Sequence, residues 1–178
     1  MKRTLRNITV ASLITLAAYI ALNTFWRAIL SMVQNESLKL FLIALMTTVA
    51  FDLVLLYVSK IRNGDGEGEL SADYGKEAYT SLAADLKVVL RRDSKALIAM
   101  VSIVFICFLL NSFDSLVFQK KLVSLPTVLF APLCLFSSWV KIPFIGYLIS
   151  AAADCVGYVA FLLFWRKKKY REWMKNKG

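Results

Sequence analysis

Residues 142–171 read IPFIGYLISAAADCVGYVAFLLFWRKKKYR, and this stretch decides the fold. About two dozen apolar residues suffice to cross a bilayer core of roughly 30 Å as a helix. The basic run that closes it holds that end on one side of the membrane. Within it Gly146, Ser150, Ala153, Gly157 and Ala160 recur at steps of four, three, four and three. Such a seam of small residues lets membrane helices pack closely. Tyr147, Ser150, Asp154 and Tyr158 form a polar stripe that overlaps the seam. Its carboxylate, Asp154, lies 12 residues before Arg166, or roughly 18 Å of helix rise.

Working outward, the whole chain shares this character. Of its 178 residues 58% are hydrophobic, and the mean hydropathy is +0.61. Soluble domains are closer to half apolar. One polytopic membrane domain over 1–178 is expected, an all-α integral membrane protein built as a four-helix transmembrane bundle. The net charge of +10 does not call for nucleic acid. Basic residues collect at the ends of apolar segments, so the implied partner is a bilayer with anionic headgroups. Histidine is absent, which removes the usual general base and the commonest zinc ligand. Cys107, Cys134 and Cys155 lie in apolar segments without a C-x-x-C spacing and read as packing residues. No metal and no cofactor are implied.

The opening MKRTLR resembles a signal peptide, but the apolar run Ile8–Leu30 is too long for one and reads as a retained first crossing. Its polar residues Ser12, Thr15, Tyr19, Asn23 and Arg27 share one helix face, which should turn toward other helices. A second crossing is expected at 38–59, with Thr48 and Asp52 at i, i+4. Asp52 is eight residues, roughly 12 Å of rise, from Lys60. The loop 60–95 should be cytoplasmic, with an amphipathic helix at 71–92 capped by Ser71 and carrying Tyr79, Leu82, Leu86, Val89 and Leu90 on one face. That helix should lie on the headgroups or dock a protein partner; a homo-oligomer is the other association expected.

The third crossing is expected at 96–118 and the fourth at 142–165, followed by a basic tail at 166–178. Asp114 stands at the depth of Arg27, which suggests an ion pair at the outer end. Between the last two crossings, 122–141 is apolar but holds Pro126 and Pro132. Reading it as a re-entrant or interfacial segment leaves 17 of the 22 basic residues on one side: three before the first crossing, seven in the loop, seven in the tail. The orientation bias favours that arrangement, with both termini cytoplasmic in a plasma (inner) membrane.

Asp52 and Asp154 are the sharpest chemical signal. A carboxylate near mid-bilayer costs about 2.5–3.5 kcal/mol on insertion scales and is rarely idle. Their depths differ by roughly 6 Å, so they can share a cavity that binds a proton, a cation or a polar substrate, with Thr48, Ser150 and Tyr158 nearby. The bland alternative satisfies each locally, Asp52 by Thr48 and Asp154 by Ser150 or Tyr158. Intramembrane aspartyl proteases also place an Asp on each of two helices, but with G-x-G-D; here Ala151-Ala152-Ala153 precedes Asp154 and Phe51 precedes Asp52. No catalytic residues are assigned. The first functional expectation is therefore a non-enzymatic accessory or partner-binding subunit. The second is a small transporter or channel component that uses Asp52 and Asp154.

Overall fold

The computed structural model describes residues 2–63, 82–117 and 125–177, with helical backbone but undescribed side chains at 22–27 and a few positions near helix ends. Four long helices carry the chain: α1 (Lys2–Ile29), α2 (Glu36–Asn63), α3 (Leu82–Val117) and, after the short segments, α6 (Pro143–Lys177). A 3-10 turn η1 (Leu30–Met32) joins α1 to α2. Three short pieces lie between α3 and α6, namely α4 (Leu125–Leu129), η2 (Ala131–Cys134) and α5 (Phe136–Trp139). No strand occurs among the described residues. All four long helices are long and apolar enough to cross a membrane, with candidate spans Lys2–Ala21, Glu36–Ile61, Asp85–Ser115 and Pro143–Lys168.

Several boundaries differ from those the sequence suggests. Residues 82–95 do not form a separate surface helix. They continue without a break into the third long helix, because Arg91, Arg92, Asp93, Ser94 and Lys95 include no glycine or proline to stop it. The remainder of the expected 71–92 helix lies outside the described residues. The basic tail likewise extends α6 to Lys177. In 125–139 no helix exceeds five residues, so each is far too short to span a bilayer core. Pro132, Leu133, Cys134 and Phe136 of this segment are buried.

The distribution of side chains differs from that of a soluble domain, with large apolar residues outside and polar ones set into an apolar core. Outward faces carry Leu53, Ile98, Phe105, Leu148, Val156 and Phe164, all exposed. The interior holds Asn7, Ser12, Thr15, Thr48, Asp52, Ser150 and Asp154. Hydrocarbon surroundings favour this arrangement, since polar groups then need protein neighbours and apolar ones do not. Ile8, Ala11, Phe51, Leu55, Met100, Val104, Leu133, Tyr147 and Tyr158 pack around them.

Contacts fix the register. Gly157 of α6 lies against Asp52, and Lys60 sits 4.7 Å from the Trp165 ring. Both pairs have the same offset, so α2 and α6 run parallel. Phe108 of α3 stacks on Phe144 and Tyr147 at 5.7 and 5.5 Å, whereas Tyr158 is placed near Asp93, so α3 and α6 run antiparallel. The end holding Lys60, Arg92 and Arg166 is the basic end. At the other end α5 backs onto α6, where Gly146 meets Ser137, while Phe41 of α2 lies 6.0 Å from Phe136 and 5.0 Å from Trp139.

Candidate functional site: a buried carboxylate pair

Asp52 and Asp154 are 0% and 1% exposed. The parallel register sets Asp52 beside Gly157, and Asp154 stands three residues earlier on the same helix, about 4.5 Å of rise away. Asp154 lies within electrostatic reach of Asp52. Gly157 makes this approach possible. A Cβ there would collide with Asp52 Oδ2 and lie 3.2 Å from its Cγ. At the far end of the seam, a Cβ on Gly146 would stand 2.7 Å from Ser137 Cα. The two seam glycines therefore serve contacts within the chain, one to a side chain and one to backbone.

The local hydrogen bonds that would make the carboxylates ordinary are not formed. All four oxygens of Asp52 and Asp154 lack a hydrogen-bond partner among the described residues, as do Thr48 Oγ1, Ser12 Oγ and Asn7 Oδ1. Thr48 does not serve Asp52, although they are one turn apart. Ser150 Oγ donates instead to the Gly146 carbonyl at 3.0 Å, satisfying itself within its own helix, as buried hydroxyls readily do. Tyr158 of α6 stands near Ser59 of α2. The structure thus brings Asp52, Asp154 and Tyr158 into one interior, with Ser150 and Thr48 on the same buried faces.

Of the remaining expected sites, Ala153 is half-buried and Ala160 exposed. Arg27's side chain lies outside the described residues, and the suggested contact with Asp114 lies outside them too. Ser12 and Thr15 do turn inward, while Tyr19 is half-buried.

Three features were not anticipated from the sequence. Asn7 belongs to the buried row Asn7, Ala11, Thr15; its step-of-four spacing carried the signal, masked by placing the helix start at Ile8. Cys107 of α3 and Cys134 of η2 are buried in the same core cluster, a neighbourhood that no local spacing reveals. Asp93, half-buried at the basic end, lies within electrostatic reach of Arg92 and Arg166 and of the Tyr158 hydroxyl.

Comparison with protein-family models, with curated proteins and with solved structures finds no match to this chain. Fold and site together define an all-helical protein of membrane-spanning dimensions with two carboxyl groups packed inside its bundle.

Proposed function

We propose that this chain is a small transporter or channel component whose interior carboxylates, Asp52 and Asp154, bind a proton or cation as it moves across the bilayer. One observation carries the reading: four buried carboxylate oxygens on neighbouring helices have no hydrogen-bond partner among the described residues. Leaving a buried polar group unsatisfied costs about 1–3 kcal/mol, and more for a charged one. Carboxylates that merely glued helices together would be expected to meet donors. A proton or cation held by the pair answers both the missing donor and the like charge.

The same reading places four crossings in a plasma membrane with both termini cytoplasmic, supported by the clustering of Lys and Arg at the basic end. Residues 125–139 then act as an interfacial plug over the outer end. The accessory-subunit reading has less support, because the seam glycines are engaged within the chain.

The test is reconstitution of D52N and D154N in vesicles, with proton, sodium and potassium flux recorded against wild type. Both variants should fold and lose flux. If both fold and every flux survives, the proposal fails.

A further inference from the structure

We infer that the crevice between α3 and α6 binds one anionic phospholipid from the leaflet at the basic end, its acyl chain lying in the crevice and its phosphate held by Lys87 and Lys167. The inference rests on the bilayer placement proposed above and not on the carboxylates.

The antiparallel register builds the site. Phe108 of α3 meets Phe144 and Tyr147 of α6 at 5.7 and 5.5 Å. Toward the basic end, Leu90 and Leu97 of α3 line one groove together with Val156, Ala160 and Leu163 of α6. One register serves both places, each turn advanced along α3 being a turn lost along α6. Three residues before Leu90 stands Lys87, and four after Leu163 stands Lys167; both are exposed. Steps of three and four keep each lysine on the groove's side of its helix, and the register sets the two at one level.

Shape and length suit an acyl chain. This groove has a volume of about 420 Å³ and is open on the outward face, where Val156 and Ala160 are exposed. Ala160, with no side chain beyond Cβ, helps widen it. A second groove continues along the same two helices, but Phe105, Phe108 and Phe144 narrow it to about 80 Å³. From Lys87 to Leu97 the helix rises roughly 15 Å, half of a bilayer core of roughly 30 Å. A chain hanging from a phosphate at Lys87 therefore ends near the midplane, where the crevice tightens.

Charge selects the headgroup. Residues 82–95 carry Lys87, Arg91, Arg92 and Lys95 against Asp85 and Asp93, and 166–172 carry five basic residues against Glu172. Basic pockets between membrane helices attract anionic headgroups. A second copy fits less well: a two-fold pair on this face, oriented alike in the bilayer, would set the same lysines against one another.

The experiment reconstitutes the full chain in phosphatidylcholine vesicles with phosphatidylglycerol spin-labelled on one acyl chain, against phosphatidylcholine carrying the same label. The motionally restricted spectral component measures lipid held by the protein. Phosphatidylglycerol should be preferred, and K87Q and K167Q should each lower that preference about fivefold, the scale of one basic residue at a headgroup. A160F fills the groove from an exposed position without changing charge, and should abolish the preference. K175Q, further along the tail, should leave it unchanged.

Full preference in A160F, or in K87Q and K167Q combined, overturns the site. So does an equal loss in K175Q, which makes the attraction a diffuse property of the tail. Disulfide cross-linking between V156C chains lacking the native cysteines puts a second copy on this face and overturns the lipid as its occupant. All of these results leave the flux proposal standing, because no variant touches Asp52 or Asp154. Release of the chain from vesicles by alkaline carbonate overturns the bilayer placement, and both proposals fall together.

Discussion

Gly157→Ala is the most telling perturbation of the packing, because its outcome depends on one neighbouring side chain. The added methyl would overlap Asp52 Oδ2, the tip of a side chain enclosed on all sides. Relief requires rotating the carboxyl group or parting α2 from α6, and overpacking of this kind costs about 1–3 kcal/mol. Alanine in a helix interior gains about 1 kcal/mol over glycine. The net expectation is a loss of about 1 kcal/mol in otherwise unaltered protein. In an Asp52→Ala background the obstruction is gone, so the same substitution should stabilise by about 1 kcal/mol. The two backgrounds thus differ by about 2 kcal/mol, a coupling of the size expected for residues in contact. Unfolding in mixed detergent micelles with increasing dodecyl sulfate, read by tryptophan fluorescence, measures all four corners of the cycle. Equal effects of Gly157→Ala in both backgrounds would refute the claim that the carboxylate occupies the glycine notch. Gly146→Ala supplies the contrast. Its obstruction is the backbone of Ser137, 2.7 Å away at Cα, so no side-chain truncation there should rescue it, and the loss should approach about 3 kcal/mol.

Two further perturbations probe the frame around the site. Asn35 Oδ1 accepts from the Ser37 and Leu38 amides at 3.0 and 3.2 Å, capping α2; Asn35→Ala should cost about 1 kcal/mol, with faster hydrogen exchange at those two amides and none deeper in the helix. Phe108→Ala removes two edge-to-face contacts, to Phe144 and Tyr147. With each aromatic pair contributing about 0.5–1.5 kcal/mol, it should destabilise by about 2 kcal/mol in the same detergent titration, and a change below a few tenths would show that this end of α3 does not hold α6.

The polar stripe on α6 was legible because helical period is a local property: Tyr147, Ser150, Asp154 and Tyr158 had to share a face wherever the helix went, and all four are buried. The depth arithmetic that put Asp52 and Asp154 within roughly 6 Å of each other in depth needed only the rise per residue and the basic residues that bound each segment. Helix ends were less legible. Nothing in Arg91–Lys95 tells a crossing from its extension, since charged residues propagate a helix as readily as they leave a bilayer.

The hydrogen-bond partners were the hardest to foresee. Thr48 stands one turn from Asp52 and was a fair candidate donor, yet neither bonds the other. Which side chain meets which across an interface depends on helix rotation and register, and these are settled by glycine notches and aromatic contacts far apart in the chain. By itself the sequence determined the four long apolar helices, the inward polar faces and the two interior carboxylates, because hydropathy and period act within a segment. Only the tertiary structure decided that Asp52 fits into the notch at Gly157, that Gly146 meets the Ser137 backbone, and that Cys107 and Cys134 share one core cluster. Those neighbours lie on different elements, and close packing selects among registers that the local pattern leaves equally open.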